Sequence, residues 1–77
     1  MIKFETMLKV RGHYSGRSTT LSYEIKCDST DTLQDIEKQL REKYPFHEEY
    51  PGCSFVDFFY KQNDTTIIVV FKSYSCD

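Results

Sequence analysis

The chain has little of what catalysis and metal binding are usually assembled from. His13 and His47 are its only two imidazoles, and neither stands in a recognisable pattern with a serine or cysteine nucleophile, so nucleophilic catalysis has no support. The three cysteines, Cys27, Cys53 and Cys76, are odd in number and widely spaced. That spacing argues against a zinc knuckle and against a secreted disulfide framework. Gly12, Gly16 and Gly52 are scattered, whereas a phosphate-cradling loop needs its glycines clustered. Glu48 and Glu49 are adjacent, so their side chains point apart and do not form a carboxylate pair. No apolar run approaches the ~20 residues that span a bilayer. No leader peptide is expected, since residues 1–8 alternate charged and apolar types. The net charge of −2 is too small to name a partner class. These absences point to a non-enzymatic protein without metal, cofactor or membrane segment, working in a reducing cytoplasm.

What is present is a densely aromatic single domain over residues 1–77. With 39% hydrophobic and 16% aromatic residues, the composition is that of a folded chain, and much of its core must be aromatic. Residues 54–74 are the apolar centre. They read as a β-hairpin, with Phe55, Val56, Phe58, Phe59 and Tyr60 on one arm, Ile67 to Phe71 on the other, and a turn at Gln62-Asn63-Asp64. Strict alternation places Val56, Phe58 and Tyr60 on one side of the first arm and Phe55 and Phe59 on the other. On the second arm Ile68 and Val70 oppose Ile67, Val69 and Phe71. A hairpin apolar on both sides needs two coverings.

The N-terminal third reads as a second hairpin. Ile2, Phe4, Thr6, Leu8, Val10, Gly12 and Tyr14 occupy even positions and form the expected core row, with Lys3, Glu5, Met7, Lys9, Arg11 and His13 on the wet side. Ser15-Gly16-Arg17-Ser18 makes the turn, Gly16 supplying positive φ. Thr19, Leu21, Tyr23, Ile25 and Cys27 continue the core row, with Cys27 as a small buried residue.

Between the hairpins, the run Ser29-Thr30-Asp31-Thr32 is rich in helix-capping residues, and Asp31 with Gln34 fits a capping box, with Ser29 and Thr30 as alternatives. Leu33, Ile36, Leu40 and Tyr44 recur at three- and four-residue spacing, a single apolar stripe, until Pro45 stops the helix. Glu37 is placed to pair with Arg41. Residues 45–53 then form a loop bearing Phe46, Glu48, Glu49 and Tyr50, with Phe46 either plugging the end of the core or anchoring a partner. The order ββαββ predicts an α+β fold: a four-stranded, mainly antiparallel sheet with one helix on one face, strands three and four towards its centre.

Three surfaces compete for function. Asp31, Asp35, Glu42, Glu48 and Glu49, with Phe46 and Tyr50, would present charge and aromatic anchors to a basic surface of another protein, and this is the leading expectation. Lys3, Lys9, Arg11, His13 and Arg17 form a basic line along strand one that fits a phosphate backbone, though stacking aromatics on that face are not expected. Phe55 and Phe59, with Ile67, Val69 and Phe71, suit a homodimer seam. In its length, acidic and aromatic content and lack of catalytic signal, the chain resembles the small inhibitors and adaptors that phages and other mobile elements encode, which implies a binding protein acting on a host factor.

Overall fold

Residues 1–46 and 54–74 are described by a computed structural model. Its elements are β1 (Lys3–Ser15), β2 (Ser18–Lys26), α1 (Leu33–Lys43), β3 (Ser54–Asn63) and β4 (Thr66–Tyr74). The four strands form one antiparallel sheet in the order β1-β2-β4-β3, so the fold is the α+β arrangement expected. Of the two strands placed near the centre by sequence, only β4 is central. It is buried from Thr66 to Val70 without a break, flanked by β2 and β3 on either side. β3 is an edge strand, and its exposed Asp57, Phe58 and Tyr60 are residues an edge tolerates.

Both edge strands are longer than the stretches they pair with. The thirteen residues of β1 lie against the nine of β2, and the excess is absorbed by register shifts between Lys3 and Leu8 and between Lys9 and Arg11. β3 has corresponding shifts between Val56 and Phe58 and between Lys61 and Asn63. Each shift of one residue exchanges the faces of everything beyond it. The uniform alternation expected for β1 is therefore interrupted: Ile2 is buried and Phe4 and Met7 pack on the core, but Leu8 is 67% exposed opposite Glu24, and Lys9 is opposite Tyr23. In β3, Val56 and Phe59 share the face of Phe71 and Val69, while Phe55, Phe58 and Tyr60 share that of Lys72, Val70 and Ile68.

The core lies between α1 and one sheet face. Ile25, Val56, Ile67 and Val69 from the strands meet Ile36 and Leu40 from the helix, with Ile2, Cys27 and Phe46 closing the margins. Burial raises the Cys27 thiol pKa above its ordinary value. Tyr44 continues the stripe, half-buried, with its ring edge-on to Phe71 at 5.0 Å. Leu33, expected in that stripe, is instead exposed.

The helix is capped by Thr32, not by Asp31. The Thr32 hydroxyl accepts from the Asp35 N–H at 3.1 Å and the Asp35 carboxylate accepts from the Thr32 N–H at 3.2 Å, a complete capping box. Asp31 is drawn away because its carboxylate has other donors to satisfy: the Met1 ammonium at 2.6 Å and the Asp28 N–H at 3.0 Å. At the β1–β2 turn Gly16 has φ of 58° and Arg17 does not share the left-handed region, the pattern of a two-residue turn with glycine first. At 11 residues α1 is about 16 Å long, while the molecule extends 41 Å. It leaves the β1–β2 tip uncovered, so Tyr14 is exposed even though register puts it on the helix side with Thr19.

Candidate functional site

Opposite the helix the sheet carries no covering element among the described residues, and its register defines which side chains share that open face. Four rows cross it in the order β1, β2, β4, β3: Lys3, Lys26, Thr66 and Asn63; then Leu8, Glu24, Ile68 and Tyr60; then Arg11, Ser22, Val70 and Phe58; then His13, Thr20, Lys72 and Phe55. Tyr74 follows at the end of β4 beside Ser18. Ile68, Val70 and Phe55 are buried even on this uncovered side, whereas Phe58, Tyr60 and Tyr74 are 50%, 48% and 46% exposed. The Phe58 and Tyr60 rings are nearly parallel, 17° apart with centroids at 6.3 Å, and Phe55 and Tyr74 lie 6.0 Å apart. This is an apolar floor bearing accessible aromatic rings.

The charge on the same face is one-sided. Lys3, Arg11, Lys26 and Lys72 share it, and Glu24 is the single carboxylate among its register-paired positions. Glu24 is already neutralised by Lys26 at 3.3 Å, and Lys3 leans towards Asp28 at 3.9 Å. Arg11, His13 and Lys72 have no ion-pair partner among the described residues. A depression of about 300 Å³ lies between them, lined by Arg11, His13, Thr20, Ser22, Phe58 and Val70. It forms where short side chains on the central strands sit between long ones on the edges.

The residues singled out from sequence are distributed differently from expectation. Of the basic line, Lys3, Arg11 and His13 are on the open face, Lys9 is on the helix side opposite Tyr23, and Arg17 is in the turn. The second register shift of β1 separates Lys9 from Arg11. The aromatics thought to be missing from that face are present, because the shift at Asp57 brings Phe58 and Tyr60 onto it. The seam row is divided as well: Ile67 and Val69 are wholly buried in this chain's own core, Phe71 and Phe59 pack against that core, and only Phe55 belongs to the open face.

Among the acidic set, Asp31 is buried and Asp35 is engaged in the cap. Glu42 is exposed on α1. Phe46 is a core residue: it bridges to Val56, lies 6.2 Å from Phe59 and sits 4.3 Å beneath the Arg41 guanidinium. Glu48, Glu49, Tyr50 and His47 lie outside the described residues, as do Cys53 and Cys76. The outer side of α1 has a larger groove of about 630 Å³ between Gln34, Asp35, Glu37, Lys38, Arg41 and Glu42. Helical spacing of long solvated side chains accounts for it, and the Glu37–Arg41 pair at 2.9 Å crosses it. Among the described residues no cluster of His, Cys, Asp and Glu is placed to hold a metal ion, and no helix is long and apolar enough to cross a membrane.

Sequence reasoning passed over Phe58, Tyr60, Tyr74, Lys26 and Lys72 as one surface. The signal for the first two was Asp57, a charged residue that breaks an otherwise apolar arm. Compared with known proteins, the chain matches no family model, no curated sequence and no solved structure.

Proposed function

We propose that this chain is a non-catalytic binding domain that holds single-stranded nucleic acid on the open face of its sheet. The observation that carries this reading is the sharing of one uncovered face by three exposed aromatic rings and by a cationic row in which Arg11 and Lys72 meet no carboxylate among the described residues. Stacking on Phe58, Tyr60 and Tyr74 suits unpaired bases, each such contact being worth about 1–3 kcal/mol. Lys72 and Lys26 suit the phosphates between them. A paired duplex hides the faces of its bases and could not use the rings in this way. A second copy of the chain would bring like charges together across the same surface, which disfavours a face-to-face dimer.

The test is fluorescence anisotropy with labelled single-stranded DNA and RNA of about 12 nucleotides, alongside the duplex form. Phe58→Ala with Tyr60→Ala is expected to weaken single-strand binding by about tenfold or more while leaving the circular dichroism spectrum unchanged. Lys72→Ala is expected to lower the salt slope by about 0.7. Wild-type protein that binds neither DNA nor RNA would overturn the reading. That outcome would favour a protein partner for the acidic side, an inhibitor or adaptor role in which Glu42, Glu48 and Glu49 take part.

A further inference from the structure

We infer that the depression between β1 and β3 on the open face is a guanine-accepting subsite, an inference that rests on the single-strand reading above. Its floor is Val70, 5% exposed, beside Ser22 and Thr20 of β2. Arg11 and His13 form one wall and Phe58 the other. With strands about 4.8 Å apart, the walls stand three strand spacings apart, about 14 Å between backbones. Long side chains leaning inward from both edges narrow that span to a cleft of about 300 Å³, the lower end of the range for small-ligand pockets. One unstacked base can lie against the Phe58 ring with its edge turned towards β1 and β2.

The lining selects the edge. Arg11 offers only donors, in a planar fork. The Ser22 and Thr20 hydroxyls and His13 can each donate, and no carboxylate or carboxamide side chain contributes a competing acceptor. Such a donor-rich wall fits a base edge made of adjacent acceptors. On its Hoogsteen edge guanine presents N7 and O6 side by side, whereas there adenine pairs one acceptor with a donor and thymine has a single carbonyl beside a methyl group. Unpaired cytosine also has two adjacent acceptors, N3 and O2, but on a smaller ring that covers less of Phe58. The Arg11 guanidinium makes no ion pair with another described side chain, so accepting guanine breaks no existing salt bridge. A phosphate is the other acceptor-only ligand that Arg11 could take, and there a lysine can stand in as a point charge.

That difference makes the test. Anisotropy titrations would use thymine-tract oligonucleotides carrying one central guanine, adenine or cytosine, or none, with wild type, Arg11→Lys, and Thr20→Val with Ser22→Ala. The guanine oligonucleotide is expected to bind wild type about tenfold more tightly than the adenine one. Arg11→Lys keeps the charge but loses the fork, so affinity for the plain tract and its salt slope are expected to stay within about twofold while the guanine preference falls to about threefold or less. The hydroxyl-free double variant is expected to reduce the preference without touching the salt slope. Equal affinity for all four oligonucleotides, or a preference that survives Arg11→Lys, would assign Arg11 to phosphate and overturn the subsite while leaving the single-strand face intact. Absence of binding to every oligonucleotide would overturn both.

Discussion

Around Asp31 three segments of the chain are tied together by one short stretch of polar atoms. Its carboxylate accepts from the Met1 ammonium and from the Asp28 N–H, and its backbone carbonyl accepts from the Lys61 ammonium at 2.8 Å. Asp28 adds a second contact to Met1 at 2.7 Å. The Met1 ammonium, by its hydrogen bond to Asp31, holds that carboxyl below its ordinary 3.8. Asp28 first, and Asp31 after it, hold the ammonium above its ordinary 8.0. A carboxyl whose folded pKa is lowered stabilises the fold above its unfolded value, and that contribution is lost as pH falls from 3.8 towards the lower folded value. An amine whose folded pKa is raised stabilises below its unfolded value, and that contribution is lost as pH rises from 8.0 through the folded value. Asp31→Asn is therefore expected to lower the melting temperature at neutral pH and to flatten the acid limb of the stability profile. Thermal unfolding followed by circular dichroism from about pH 2 to about pH 10 checks this. An unchanged acid limb in the variant would show that the loss belongs to other carboxylates.

At the scale of elements, the helix and the two edge strands obey different rules. Helix α1 is locally specified: the capping box at Thr32 and Asp35 opens it, Glu37 and Arg41 pair on its outer side, and it ends before Pro45. Thr32→Ala removes an acceptor for the first-turn N–H groups and is expected to cost about 1 kcal/mol, measured by urea unfolding with an unchanged denaturant slope. Asp31→Asn leaves that cap intact, so the two variants should be close to additive only if their shared segment stays in place. The strands are specified by their neighbours. Period-two alternation in β1 reports average chemistry along a face, but thirteen residues cannot pair one to one with nine. The bulges follow from the partner's length, which no single strand displays. They re-aim Met7 into the core and Leu8 out of it, and they make both edges irregular, which disfavours strand-to-strand association.

The whole molecule has two unlike sides. The helix side buries its apolar rows, Ile67 and Val69 completely, and turns Gln34, Asp35, Glu37, Lys38 and Glu42 to solvent. The sheet side is aromatic and cationic. Because the row once suited to a dimer seam is consumed by the chain's own core, and the remaining face repels its copy, light scattering coupled to size-exclusion chromatography is expected to give the monomer mass. A species of twice that mass at moderate salt would place a second copy over the open face instead of a nucleic acid.

Much of this was legible in the amino-acid order. Element order, the glycine-first turn, the apolar helix stripe through Ile36 and Leu40, the burial of Cys27 and the α+β class all follow from local patterns: spacing of apolar residues, capping side chains, and the positions of glycine and proline. These depend on interactions within a few residues of one another. The surface composition does not. Whether Phe58 joins Arg11 depends on a bulge at Asp57, on the length of β2, and on β4 lying between β2 and β3, so that residues 47 positions apart in sequence line one depression. Sequence alone determined which side chains this protein has to use and which elements carry them. Only the tertiary structure decided which of them share a face, because register is set by pairing between strands and is not a property of either strand alone.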